Sequence, residues 1–192
     1  MNVFDSITNR RTIRKYDQSK RVPSEILLNA VECARLSPSG GNFQSLKFAV
    51  IEDPRIVEDI FYITKWGMHL PDGSGTPQEG EHPTAFIAIL HDKDISKNLP
   101  ANDAGAAAQS MMVYAWSEGV GSCWIGNIDR KKARDIMDLP ENLEIHTVIA
   151  FGYPAMTAHV EDLKGEDTKY FYRGEDFIVP KRKLEDILLH YK

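Results

Sequence analysis

Cysteine is scarce in this 192-residue chain, with only Cys33 and Cys123, far apart in sequence. Two cysteines make no disulfide framework, and free thiols in a reducing cytoplasm are the expected state. Long hydrophobic runs are missing as well. The longest apolar stretch, Ala104 to Trp116, is interrupted by Gln109 and Ser110 and is too short to span a bilayer. The first residues include Asp5 and no apolar core, so no signal peptide is expected and a cytoplasmic location is. Basic residues are in the minority, 23 Lys and Arg against 28 Asp and Glu, which argues against a general nucleic-acid binder. Neither GxGxxG nor a Walker A pattern occurs, so neither a Rossmann nor a P-loop reading has support. His69, His82, His91, His146, His159 and His190 show no metal-ligand spacing, and Glu79, Glu81 and His82 cluster only in a Gly/Pro-rich loop. No metal is expected. No Ser/His/Asp or Cys/His triad stands out, and no side chain is nominated as catalytic. Repeats, low-complexity tracts and linkers are absent, which leaves residues 1–192 as one domain.

Val3, Phe4 and Ile7 have the spacing of a short amphipathic helix. Ser24 is placed to cap a second helix whose Ile26, Leu27, Ala30, Val31 and Ala34 face inward, with Pro38 beyond its end. Leu46 to Ile51 reads as a strand and Ile56 to Ile63 as a helix. Residues 67–83 hold four Gly and three Pro and read as a surface loop or lid. Ala85 to Leu90 and Ile145 to Phe151 are strands; Asp103 to Glu118, Asp129 to Leu139 and Lys183 to His190 are helices. Helices around a small sheet give an α+β, three-layer arrangement.

Three segments carry candidate chemistry. Arg10-Arg11-Thr12-Ile13-Arg14-Lys15 is a basic island; if extended, its period of two puts Arg10, Thr12 and Arg14 on one side. Two guanidiniums and a hydroxyl suit a phosphate, although a solvated charged turn would read the same. Ser37 to Gln44 joins a helix to a strand. Gly40 and Gly41 allow close backbone approach, and the amides of Asn42 and Gln44 both donate and accept, as a flavin or pyrimidine edge requires. A plain connecting loop has the same composition. The helix from Asp103 to Gln109 is small-residued and apolar nearly all round, so it must be buried, against the core or between subunits. In Gly119 to Gly126, Trp124 reads as core and Cys123 as an inert buried thiol. Pro180-Lys181-Arg182-Lys183 offers a further cation or a solvated basic turn.

Taken in order, Arg10 to Arg14, Ser37 to Gln44, Asp103 to Gln109, Gly119 to Gly126, Gly152-Tyr153-Pro154 and Lys181 to Lys183 resemble the nitroreductase family of FMN enzymes. The resemblance spans nearly the whole chain. It implies a dimeric α+β fold with a small, mainly antiparallel sheet flanked by helices, and FMN at the subunit interface. By it, Arg10, Arg11, Thr12 and Arg14 hold the phosphate and ring edge. Pro38, Ser39, Gly40, Asn42 and Gln44 contact the flavin, the Pro38 to Gly40 turn reaching it from the partner subunit. Ile125 and Gly126 flank the ring near N5, and Arg182 closes on the phosphate. The implied activity is ping-pong hydride transfer from NAD(P)H through FMN to a small electron-poor acceptor such as a nitroaromatic or quinone. A flavin-sequestering protein without turnover, or a reductive dehalogenase of the same fold, are the alternatives. Two departures stand out. Gln44-Ser45-Leu46 replaces the family's frequent Gln-Pro-Trp, and Lys181-Arg182-Lys183 resembles the iodotyrosine deiodinase branch. That branch places a threonine hydroxyl near N5, where this chain has Trp124-Ile125-Gly126, which favours hydride transfer over one-electron dehalogenation.

Overall fold

A computed structural model describes residues 1–98 and 101–190. In chain order it has helices α1 (Val3–Asn9) and α2 (Ser24–Arg35), strand β1 (Leu46–Ile51), α3 (Pro54–Tyr62), β2 (Ala85–Asp92) and α4 (Ala101–Ser117). These are followed by β3 (Gly121–Ile125), α5 (Arg130–Ile136) and β4 (Leu143–Gly152), then β5 (Ala158–Asp162), β6 (Phe171–Arg173), β7 (Asp176–Lys181) and α6 (Leu184–Ile187).

The main sheet has the order β1-β2-β4-β3 with every neighbouring pair antiparallel. Its two central strands are covered on both faces, so they read as continuous apolar runs rather than alternating ones. Phe86, Ala88, Leu90, Val148 and Ala150 share one core with Val57, Ile60 and Phe61 of α3 and Ala133 of α5. Ala85, Ile87, Ile89, Ile149 and Phe151 share the other with Leu27, Ala30 and Ala34 of α2 and Ala104, Ala107, Ala108 and Met111 of α4. Two helical layers on one antiparallel sheet is the three-layer α+β arrangement expected. α4 is small-residued where it lies flat on the sheet, which explains its apolar character nearly all round.

The basic segment runs extended along the β3 edge. Thr12 bridges Ser122 in parallel, and the Ile13 N–H donates to the Ser122 carbonyl at 2.9 Å. Ile13 and Tyr16 then turn into the core over two glycines. A Cβ on Gly121 would lie 2.8 Å from Ile13 Cγ1, and one on Gly152 would lie 2.7 Å from Tyr16 Cδ1. The loop of residues 67–83 is tied back to the stretch just after the basic segment. The Tyr16 N–H donates to the Glu81 carbonyl at 3.0 Å, Gly80 N–H to Gln18 Oε1 at 2.9 Å, and Lys15 pairs with Glu81 at 3.1 Å.

Several local expectations are corrected. Ser24 is the first helical residue and not the cap: Pro23 occupies the cap, and the Ser24 hydroxyl donates to Glu52 at 2.6 Å. The last helix is one turn, not the span to His190; Leu184, Ile187, Leu188 and Leu189 are exposed, so packing supplies nothing to propagate it. Val3, Phe4 and Ile7 of α1 are likewise exposed. A second sheet of order β5-β7-β6, with β5 and β7 parallel, was not expected. Its strands are short and largely polar outward, so no period of two stands out.

Candidate functional site

Arg14 is 8% exposed, and its Nε and Nη1 find no hydrogen-bond partner. Its guanidinium lies over the rings of Tyr170, 4.6 Å away, and Phe177, 5.2 Å away. Its own backbone N–H donates to Met156 Sδ at 3.2 Å. Among the described residues no carboxylate forms an ion pair with Arg10, Arg11 or Arg14. A buried cation supported only by aromatic faces is expensive unless an anion reaches it. Arg10 lies nearby, also with an unpartnered Nε. Burial pulls its pKa down, with the like charge of Arg11 second. Thr12 is half-buried between them. Arg11 turns elsewhere: its guanidinium donates to the carbonyls of Thr8 and Arg10, closing the C-terminus of α1. The same cluster encloses Cys123, whose thiol burial pushes up to about 11 against the pull of Arg14 and Arg10. Cys123 is an inert neutral thiol, as expected from sequence.

The Pro38 to Gln44 turn sits against the N-terminal end of α4. Three of its residues are left-handed: Gly41 at φ 56°, Asn42 at 58° and Gln44 at 52°. Asparagine tolerates this region; glutamine at such a φ is unusual and costs backbone energy. The turn is held from outside. Gly40 N–H donates to Asp103 Oδ1 at 3.0 Å, and the Ser37 and Ser110 hydroxyls are 2.8 Å apart. Ser39 Oγ accepts from Gln44 N–H at 3.3 Å. With its N–H given to Asp103 and its carbonyl accepting the Phe43 N–H at 3.1 Å, Gly40 is engaged at both of its backbone polar groups. Pro38, Ser39 and Gln44 line a crevice of about 230 Å³ together with Asp103 and Ala107 of α4.

At the end of β3, Ile125 is buried and Gly126 exposed. A Cβ on Gly126 would meet nothing within 4 Å. Neither its φ nor its own chain therefore demands a glycine there. Its carbonyl accepts from Arg130 Nη2 at 3.1 Å, a side chain that also donates to the carbonyls of Ile145 and His146. Trp124, expected in the core, is 42% exposed. Its ring passes over Gly105 of α4, and its Nε1–H donates to Thr147 Oγ1 at 2.8 Å. Arg182 is exposed between β7 and α6.

The fold thus gathers Arg10, Thr12 and Arg14 beside β3 and gathers Pro38, Ser39, Gly40, Asn42 and Gln44 at the end of α4. Arg11 is drawn to the C-terminus of α1 by its hydrogen bonds, and Arg182 is exposed beyond β7. Tyr170, Phe177, Asp103 and Arg130 were missed in the sequence, since each acts through a long-range contact with no local pattern. Among the described residues there is no group of three or more His, Cys, Asp or Glu placed to hold a metal, and no helix long and apolar enough to cross a membrane.

An antiparallel sheet between two helical layers makes this an α+β protein, and at the sheet's edge a guanidinium is buried with no ion pair among the described residues. The chain belongs to the nitroreductase family, whose model matches residues 7–153. It is 28% identical over 183 residues to a protein of Archaeoglobus fulgidus with a provisional NADH dehydrogenase/NAD(P)H nitroreductase name, covering 92% of each chain. It is 24% identical over 185 residues to the iodotyrosine deiodinase of Nematostella vectensis, covering 83% of this chain and 70% of that one. Among solved structures it is similar to an FMN-dependent nitroreductase of Clostridium difficile, with a TM-score of 0.63 and 26% identity over 79% of this chain and 87% of that one.

Proposed function

We propose that this chain is an FMN-dependent NAD(P)H oxidoreductase that passes hydride to a small electron-poor acceptor in a ping-pong cycle, acting in the cytoplasm as a homodimer of one-domain subunits. The family, with the FMN-dependent nitroreductase and NAD(P)H nitroreductase names among its relatives, supports FMN as cofactor and NAD(P)H as co-substrate. The observation that carries the reading is Arg14: a buried guanidinium with two free donors and no carboxylate fits a phosphate monoester. Arg10 and Thr12 add a second cation and a hydroxyl beside it. Bound FMN would supply the two-electron chemistry, accepting hydride from the nicotinamide and yielding it to the acceptor. The chain's own work is binding, orientation and exclusion of water. The Asn42 and Gln44 amides offer donors and acceptors to a flavin edge, and open Gly126 lets a ring or donor approach β3 without a clash.

Two features support a dimer. The exposed apolar side chains of Val3, Phe4, Ile7, Leu184, Ile187, Leu188 and Leu189 would be covered by a second copy. The crevice of Pro38, Ser39 and Gln44 also lacks Arg10, Arg14 and Gly126, as a site built from two chains would. The test is direct. Protein saturated with FMN and denatured should release FMN, and it should oxidise NADH or NADPH steadily once a quinone or nitroaromatic is added. No flavin retained would overturn the reading; flavin retained without oxidation would leave a sequestering protein.

A further inference from the structure

The turn from Ser37 to Gln44 is tied to α4 as well as to itself. Gln44 at a left-handed φ stores backbone energy, while Gly41 and Asn42 tolerate theirs. Inside the turn it is opposed by the Asn42 and Phe43 N–H groups, accepted by the Ser39 and Gly40 carbonyls, by the weak Ser39 Oγ contact and by a long Gln44 Nε2 contact to the Asn42 carbonyl at 3.5 Å. Two fixtures outside the turn come from one helix. Asp103, in the first turn of α4, takes the Gly40 N–H at 3.0 Å, and Ser110, two turns on, meets the Ser37 hydroxyl at 2.8 Å. A carboxylate in the first turn of a 17-residue helix is itself stabilised by the exposed N–H groups there, so Asp103 is a firm anchor. The Asp103 carboxylate also lies in the crevice with Pro38, Ser39 and Gln44.

We infer that Asp103 is a positioning residue: its hydrogen bond to the Gly40 N–H fixes the turn in the geometry that presents Asn42 and Gln44 to the flavin. The inference rests on the proposed FMN site. Placement of the amides should set the affinity and the environment of the ring, not the intrinsic stability of the sheet.

The experiment compares Asp103→Ala, Asp103→Asn and Ser110→Ala with the parent by FMN titration, visible absorption of the bound flavin, and thermal melting without flavin. Asp103→Ala should weaken FMN binding by about tenfold or more, the loss of one charge-assisted hydrogen bond, and shift the flavin bands. Asp103→Asn keeps an acceptor oxygen at the same place and should restore affinity and spectrum to near parental values. Should Asp103→Ala fail to fold, Ser110→Ala loosens the second fixture and should weaken FMN in the same direction by a smaller factor. Parental affinity and spectrum in Asp103→Ala, or in Ser110→Ala where that is the variant that folds, would overturn the role. So would Asp103→Asn behaving like Asp103→Ala, because the negative charge and not the bond would then matter. A parent that takes up no FMN would instead sink the site reading on which the inference rests.

Discussion

Arg14 is costly as it stands, a guanidinium among aromatic rings with two donors unmet, and that cost predicts its behaviour. In the proposed FMN site, Arg14→Ala would remove a charge-assisted contact to the phosphate, a loss of roughly 1.5–3 kcal/mol or about one to two decades of FMN affinity. The phosphate does not change during hydride transfer, so turnover per bound flavin should stay near parental. Flavin titration beside single-turnover reduction by NAD(P)H checks both halves, and unchanged affinity would remove Arg14 from the site. Cys123 supplies a pH prediction. Its folded pKa of about 11 lies above that of a free thiol near 8.5. From about pH 8.5 upward the unfolded chain therefore loses this proton before the native one does, and stability falls until about pH 11. Buried Tyr16, also raised, pushes the same way at higher pH. Urea unfolding at pH 8 and pH 10.5 should show the drop, and Cys123→Ala should shrink it. In native protein at pH 8 a thiol reagent should label half-buried Cys33 and spare Cys123.

At the scale of elements, the two ends of β3 differ: its start is packed tight, and its end opens at Gly126, where the proposed site places the flavin. Gly121 is closed off by Ile13, and its β4 partner Gly152 by the Tyr16 ring. Gly121→Ala or Gly152→Ala should overpack the junction and destabilise by about 1–3 kcal/mol, read as a lower urea midpoint. Gly126 has no neighbour within 4 Å, so Gly126→Val should leave the urea midpoint almost unmoved. In flavin-loaded protein it should slow reduction by NAD(P)H, because the side chain fills the approach to the ring. If that variant reduces at the parental rate, the placement of Gly126 beside the reactive face is wrong.

The whole molecule exposes apolar side chains at both ends of the chain, Val3, Phe4 and Ile7 in α1 and Leu184 to Leu189 around α6. A lone subunit gains nothing from these residues, and the proposed twofold assembly would bury them. Light scattering at micromolar concentration should give a dimer; a monomer with full flavin occupancy would contradict it. FMN binding only the native state should raise Tm. At a free concentration one hundred times Kd the gain is about 2.7 kcal/mol, or roughly 5–10 °C for a chain of this size.

The sequence by itself determined three of the four strands of the main sheet and its two helical layers; β3 was not read from it. The continuous apolar runs of β2 and β4 demand cover on both faces, and the periodic faces of α2 and α3 and the nearly all-round apolar α4 supply it. It also marked Arg10 to Arg14 and Ser37 to Gln44, because guanidiniums, amides and paired glycines are rare in such density and have few structural uses. Only the tertiary structure decided what surrounds them. The Tyr170 and Phe177 rings over Arg14, Asp103 beneath Gly40 and the exposure of Trp124 join residues 63 to 163 positions apart or depend on strand order. The lengths of the short polar strands β5 to β7 and of α6 were set the same way. A local pattern records which face a residue shows to the core. It carries no record of which distant residue arrives there, since that contact exists only once the intervening chain has closed.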